Sequence, residues 1–342
     1  MSALPSNMRA VLTMGHGGRE VLKPVRDYPA PRAGTGQVVV AVAATALNFH
    51  DIFTRRGMPG IRIALPVVVG SDVAGVVAQI GEGIDGWKAG ERVLVNPILR
   101  DGRVGMIGET VDGGRAEYVA VSAAQLLRVP DGVALEDAAA LPLAYGTAHR
   151  MLFRRGRLKA GETVLVLGAS GGVGAACVQL AKMAGATVIA CASSPAKLAR
   201  LKEAGADHLI DYAAQSFFAG VKQIVGKPRM SGAGGVDVAV NFTGGDTWEE
   251  TQRCVKPGGR ILSCGATAGY AVQQDMRFLW TFEHDVLGSN GWTDDDLVAL
   301  MDLIAAGRFR PLIDRILPLE EAAEAERLLE DREVVGKVLL RP

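Results

Sequence analysis

The stretch Thr163-Val-Leu-Val-Leu-Gly168-Ala-Ser-Gly171-Gly172-Val-Gly174 carries the plainest chemistry in the chain. Thr163 to Leu167 read as a buried parallel strand. Ala175 to Met183 read as an amphipathic helix that Gly185 stops. Gly168 suits a tight turn, and Gly171 and Gly172 let the backbone come close to a pyrophosphate. Gly174 lets the helix pack near the strand, and the free N–H groups of the helix N-terminus can hold the anion. A purely structural strand–helix turn has the same spacing. The flanking elements, with a further strand at Ala186 to Cys191, favour the dinucleotide reading. An acid about 20 residues past such a turn would bind the ribose 2′-hydroxyl of NAD. Here that place reads Cys191-Ala192-Ser193-Ser194-Pro195-Ala196-Lys197, with no carboxylate. Two hydroxyls and a lysine could instead receive the 2′-phosphate of NADPH. The bland alternative is a solvated turn with a surface lysine.

A chain of 342 residues, 49% of them hydrophobic, is long and apolar enough for two cored domains. Lys+Arg and Asp+Glu balance at 37 each, which gives nucleic acid or an anionic membrane no purchase. The N-terminus has no apolar h-region, and no apolar run reaches the roughly 18 residues that span a bilayer. The expectation is a soluble, cytoplasmic protein. Cys177, Cys191, Cys254 and Cys264 form no Cys-x-x-Cys pair, so neither a disulfide framework nor a zinc knuckle is indicated.

The segment before the glycine turn is β-rich. Apolar or alternating runs at Met8 to Met14 and Gln37 to Ala44, then Leu65 to Gly81, Lys88 to Val95 and Asp112 to Val119, are separated by Pro and Gly turns. Short strands at this spacing suit a small twisted barrel. After the turn, strands are expected at His208 to Tyr212, Val236 to Gly244, Gly259 to Gly265 and Asp285 to Asn290. Together with the first two they make a six-stranded doubly wound sheet. Asp294 to Ala306 reads as a helix, Gly226 to Gly235 as a surface loop, and Ile313 to Leu340 as strand, helix and strand.

Asn48-Phe-x-Asp51, Gly70-Ser71-Asp72-x-Ala-Gly75, Gly90-x-Arg-Val93, Ala116-Glu-Tyr-Val119 and Gly171-Gly-Val-Gly174 occur in this order. In order and spacing the chain resembles the medium-chain dehydrogenase/reductase superfamily, and within it the zinc-free quinone oxidoreductase-like branch, over nearly its whole length. The resemblance implies an α/β fold with a GroES-like β-barrel catalytic domain, 1–143 and 293–342, discontinuous because the tail returns to it. The Rossmann dinucleotide-binding domain would be 144–292. It implies cofactor contacts from Thr147, Gly168, Ser170, Gly171, Gly172, Val173, Gly174, Ser193, Lys197, Tyr212, Thr243, Gly265 and Asn290. Because a Ser, a Lys and a Tyr at the places of Ser193, Lys197 and Tyr212 go with NADPH in that family, it implies NADPH over NADH. It also implies a homodimer built on the edge strand His284 to Asn290.

Zinc-dependent members of that superfamily hold a catalytic metal at the positions of Asn48, Ser71 (with Asp72 after it) and a third near Leu143. Asn, Ser and Leu cannot make a soft tetrahedral zinc site, and no metal is expected; His50 and Asp72 leave a rebuilt site as an alternative. Without a metal, and with no Tyr-x-x-x-Lys, a plain carbonyl lacks an electrophile. Hydride addition to a conjugated C=C bond asks less, because charge flows to an oxygen that a hydrogen-bond donor can hold. Asn48 is the candidate donor. His50 stands where zinc-dependent members carry a proton-relay hydroxyl, which implies a candidate acid or else a histidine packed or solvated near the cleft. Tyr145 is a candidate lining residue, or else a core tyrosine with a satisfied hydroxyl. Asp51 reads as an orienting residue, and His16, His149 and His208 as surface or structural. Phe53 and Pro59 stand where quinone reductases of the branch carry tyrosines, which implies a less polar pocket. The expected function is NADPH-dependent reduction of a quinone or of the C=C bond of an α,β-unsaturated carbonyl substrate. An alcohol dehydrogenase with a rebuilt metal site and a non-catalytic NADPH-binding protein are the alternatives.

Overall fold

The structure is a computed structural model that describes residues 4–58 and 62–342; Pro59 lies outside the described residues. The chain forms two compact units, Met1–Leu143 with Leu297–Pro342, and Ala144–Asp296. In chain order the strands are β1 (Asn7–Thr13), β2 (Leu22–Pro29), β3 (Gln37–Ala46), β4 (Val67–Val68), β5 (Asp72–Ile80), β6 (Arg92–Val95), β7 (Tyr118–Ser122) and β8 (Leu126–Arg128). The glycine-turn region contributes β9 (Thr163–Val166), β10 (Thr187–Ala192), β11 (His208–Asp211), β12 (Val236–Val240), β13 (Val255–Ser263) and β14 (Asp285–Gly288), and the tail adds β15 (Ile313–Pro318) and β16 (Lys337–Arg341).

The first unit holds a three-stranded sheet, β2-β1-β4, and a seven-stranded sheet, β15-β16-β3-β5-β6-β8 with β7 paired to β3. Alternate valines of β3, β5, β6 and β7 point to one side and form an apolar cluster, among them Val38, Val40, Val73, Val93 and Val121. Period-two alternation produces such a one-sided face. β16 reaches the sheet by pairing Leu339 with Ala46 and Leu340 with Thr45. A second cluster joins β1, the helix Phe49–Arg56, the helix Ala322–Glu330 and β16 through Val11, Ile52, Ala325, Leu328, Leu329 and Val338.

The second unit is a six-stranded sheet in the order β11-β10-β9-β12-β13-β14, every pair parallel. Its strands read as continuous apolar runs because helices cover both faces. The order reverses at β9, so the crevice beyond the carboxyl ends of β9 and β12 is the topological switch point where such sheets bind ligands. The π-helical turns Leu141–Gly146 and Arg150–Arg155 flank a short α-helical turn, Thr147–His149. Among the described residues, no helix is long and apolar enough to cross a membrane. Burial pushes the thiols of Cys177, Cys191 and Cys254 above the usual range and that of Cys264 to about 12, so none is a ready nucleophile.

Candidate functional site

In the second unit the turn after β9 is built as its glycines require. Gly168 sits at φ +62, in the left-handed region. At Gly174 a Cβ would stand 2.3 Å from the Gly168 carbonyl oxygen and 2.7 Å from the Ala169 Cα, so only glycine lets helix and strand close up. Gly171, the N-cap, is different. Its φ is −72 and its ψ 170, ordinary extended backbone, and a Cβ there would meet only the Gly168 oxygen at 3.6 Å. Nothing in the fold fills that space. The helix begins at Gly172, and its first backbone bond runs from Ala175 N–H to the Gly171 oxygen at 2.8 Å. The N–H groups of Gly172, Val173 and Gly174 therefore precede the intrahelical ladder, beside Ser170, as an anion cradle needs.

The other expected cofactor residues follow the carboxyl ends of the same sheet: Ser193 and Lys197 after β10, Tyr212 after β11, Thr243 after β12, Gly265 after β13 and Asn290 after β14. Lys197 Nζ donates to Ser193 Oγ at 3.4 Å, and Ser194 caps the helix that carries the lysine. Tyr212 is 41% exposed. The donor set of hydroxyls and an ammonium fits an NADP(H) 2′-phosphate. Thr147 is buried in the turn Thr147–His149. Tyr145 is fully buried and donates its hydroxyl to Gln179 Oε1 at 2.5 Å, the core-tyrosine alternative.

In the first unit the structure brings Asn48, Ser71, Asp72 and Leu143 together. Asn48 Nδ2 lies 3.4 Å from Ser71 Oγ. Asp72 Oδ1 accepts from the Leu143 N–H at 3.0 Å. The centre of this group is a residue the sequence reading missed. Lys337 Nζ donates to Asn48 Oδ1 at 2.5 Å, to the Leu47 carbonyl at 2.8 Å and to Asp72 Oδ2 at 3.2 Å. Lys337 is 2% exposed. Burial pushes the Asp72 carboxyl upward, with Asp51 adding to it, while Lys337, the Asn48 amide and the Leu143 N–H pull it down; the net direction is up.

Asn48 is also the N-cap of the helix Phe49–Arg56, and its N–H donates to Asp51 Oδ2 at 2.9 Å. Asp51 is held in turn by Arg115 Nη2 at 3.2 Å. Arg115 Nη1 donates to Glu326 Oε1 at 2.5 Å, and Glu326 Oε2 accepts from Arg55 Nε at 2.6 Å. All four charged groups are buried. Such a network makes an interior rigid when every member is satisfied.

His50, one residue past the first of the helix, faces Glu109. Its Nε2 lies 3.8 Å from Glu109 Oε2, an ion-pair distance rather than a hydrogen bond, and has no hydrogen-bond partner among the described residues. Glu109 is brought there by backbone packing on Gly70: a Cβ on Gly108 would stand 2.6 Å from Gly70 N, and one on Gly113 2.2 Å from Gly70 O. Burial pulls the His50 imidazolium down, but Glu109, Asp51 and Asp72 outweigh it and hold it above the usual histidine value. His50 in turn draws Glu109 below the usual carboxylate range.

A metal does not fit this donor set. Both Asp72 oxygens are engaged by other groups, and among the described residues no three His, Cys, Asp or Glu side chains are grouped to hold an ion. Of the residues missed, Lys337 left a trace: it is the one charge in the apolar run Val334 to Leu340. Glu109 left none.

Two family descriptions match the chain, "Alcohol dehydrogenase GroES-like domain" over residues 34–131 and "Zinc-binding dehydrogenase" over 172–306. The synaptic vesicle membrane protein VAT-1 homolog of Rattus norvegicus is 32% identical, covering 98% of this chain and 84% of its own. The acryloyl-coenzyme A reductase of Metallosphaera sedula is 31% identical over 97% of this chain and 99% of its own. Among solved structures, an NAD-dependent alcohol dehydrogenase superposes with a TM-score of 0.90 at 36% identity, covering 98% of this chain and 100% of its own. The 2-octenoyl-CoA carboxylase reductase CinF, in complex with NADP and 2-octenoyl-CoA, gives 0.87 at 28% identity, covering 99% and 88%.

Proposed function

The chain belongs to the medium-chain dehydrogenase/reductase superfamily, and we propose that it is an NADPH-dependent oxidoreductase that reduces the C=C bond of an α,β-unsaturated carbonyl compound without a metal. The reading favours an enone or enoyl thioester over a quinone. One observation carries it: where zinc-dependent members place ligands, this chain has Asn48, Ser71 and Leu143, and the Asp72 carboxylate beside them is already engaged by Lys337 and the Leu143 N–H. That set offers a hydrogen bond to a developing oxyanion and no Lewis acid. The names of two relatives, an acryloyl-coenzyme A reductase and a structure holding NADP with 2-octenoyl-CoA, support the substrate class.

When bound, NADPH would supply hydride to the β-carbon of the substrate. The glycine turn and the first N–H groups of the helix Gly172–Met183 would hold its pyrophosphate, and Ser193 and Lys197 the 2′-phosphate. Asn48 Nδ2 donates to the carbonyl oxygen as charge builds there. His50, whose imidazolium form Glu109 favours, would give a proton to the α-carbon, and the imidazole would take one back from water. The products are the saturated carbonyl compound and NADP+.

A zinc-assisted alcohol dehydrogenase is the second reading, favoured by the likeness to the NAD-dependent alcohol dehydrogenase structure. The test is NADPH consumption by chelator-treated protein over enones, enoyl thioesters, quinones and aldehydes. Turnover of the first two classes, undiminished by the chelator, is expected. Turnover of aldehydes alone, lost on chelation and restored by zinc, overturns the proposal.

A further inference from the structure

Lys337 stands in β16 among apolar neighbours, and its three ammonium hydrogens meet three acceptors: the Leu47 carbonyl, Asn48 Oδ1 and Asp72 Oδ2. No hydrogen is left for a substrate. Stability alone does not explain such a group, since a buried ion pair is seldom worth more than well-packed apolar side chains. What the ammonium does is decide which way the Asn48 amide faces. The oxygen and nitrogen of an asparagine are nearly the same size, but a lysine has donors and no acceptor. Turning the amide over would set NH2 against NH3+. Oδ1 is therefore held on Lys337, and Nδ2 is the donor end of the amide, with a long hydrogen bond to Ser71 Oγ at 3.4 Å. The Asn48 backbone cannot drift to compensate, because its N–H is tied to Asp51 at 2.9 Å.

We propose that Lys337 is a positioning residue for C=C reduction: by holding Asn48 Oδ1, it presents Nδ2 as the donor to the substrate carbonyl oxygen, and its fixed charge polarises that N–H toward the oxyanion. This rests on the reductase reading above. A donor polarised through a chain of hydrogen bonds binds an anion more strongly than an isolated amide. The charge sits behind the amide, where it strengthens the bond as the oxyanion forms without requiring reorganisation. An apolar side chain at 337 would remove the donor that holds Oδ1, and an amide that turned its oxygen toward the substrate would repel the developing charge.

The test is a double-mutant cycle with Lys337→Met and Asn48→Ala, read as kcat and as KM for NADPH, with 2-cyclohexen-1-one and crotonyl-CoA as probes. Asn48→Ala is expected to lower kcat about 100-fold. Lys337→Met should lower it about 10- to 100-fold with the NADPH KM unchanged, and the double variant should match Asn48→Ala alone, because the two act as one unit. Losses that multiply, or an unchanged kcat in Lys337→Met, overturn the proposal. An unchanged kcat in Asn48→Ala overturns the reductase assignment of Asn48 instead, so the two failures are distinct. If Lys337→Met does not fold, Lys337→Leu, which likewise has no donor, goes through the same cycle and is judged by the same outcomes. A readout without turnover is available, since the chain has five asparagines, Asn7, Asn48, Asn96, Asn241 and Asn290. In protein labelled with 15N-asparagine, the Asn48 side-chain signal is identified by its loss in Asn48→Ala. It should move in Lys337→Met while the other four stay; a signal that does not move contradicts the contact.

Discussion

The two glycines at Gly171 and Gly174 should fail in opposite ways when changed to alanine. At Gly174 the new Cβ would lie 2.3 Å from the Gly168 oxygen, where ordinary contact begins at 3.4 Å. Helix and strand must part by about 1 Å, and overpacking of this kind costs about 1–3 kcal/mol. At Gly171 the nearest atom is 3.6 Å away and the backbone is extended, so alanine fits the empty fold. Removing a glycine's freedom from the unfolded chain should then stabilise by about 0.4–1 kcal/mol. The methyl group would instead occupy the space kept for a pyrophosphate. A tenfold rise in the NADPH dissociation constant, about 1.4 kcal/mol, is the least expected. Thermal unfolding with and without NADPH reads both quantities. At a concentration near 100 times the dissociation constant the cofactor stabilises the unmodified protein by about 2.7 kcal/mol, and a tenfold weaker site halves that. Gly171→Ala should therefore melt slightly higher alone and gain much less from NADPH, while Gly174→Ala melts lower in either condition. NADPH binding unchanged in Gly171→Ala would refute the placement of the pyrophosphate. An undiminished melting temperature in Gly174→Ala would refute the contact itself.

Lys197→Ala should raise the dissociation constant for NADPH by about 10- to 150-fold, the value of a charge-assisted contact, and leave NADH almost unchanged; equal losses in cofactor titrations would contradict the 2′-phosphate pocket. Glu109→Gln removes an upward pull on His50. The imidazolium donor is present below its raised value and lost as pH rises through it, so the alkaline limb of the kcat profile should move to lower pH; a limb that stays in place contradicts the pairing. β14 ends the six-stranded sheet, Val286 on it is 43% exposed and Trp280 before it 71%. An open apolar edge favours pairing with another copy, so sedimentation at micromolar concentration should give a dimer, and a monomer would rule it out.

The glycine turn was legible because its constraints are local: Gly168 and Gly174 are demanded by backbone atoms a few residues away. The expected six strands and the strand–helix–strand tail were legible for the same reason, as apolar runs between turn residues. Boundaries were less so. The helix starts at Gly172 and not Ala175, because the cradle glycines are themselves its first turn. β13 starts at Val255, ahead of Gly259, because the strand carries Pro257 and Gly258 through an irregular register with β12. The grouping of Asn48, Ser71 and Leu143 came from resemblance alone. Lys337 lies 289 residues from the amide it holds, and no periodicity reports a partner that tertiary packing supplies. Glu109 reaches His50 only because the backbones at Gly108 and Gly113 close on Gly70. His149 likewise finds its partner, Asp296 at 2.8 Å, only in the folded chain.

The central claim is that hydride goes to a carbon–carbon double bond, with an amide and not a metal holding the oxygen. The most direct measurement uses NADPH carrying deuterium at C4 with chelator-treated protein and crotonyl-CoA or 2-cyclohexen-1-one, followed by mass spectrometry and NMR of the product. The account predicts a saturated carbonyl compound with one deuterium on the β-carbon and a solvent proton on the α-carbon. Deuterium on the former carbonyl carbon of an alcohol, or turnover that appears only when zinc is returned, would contradict it.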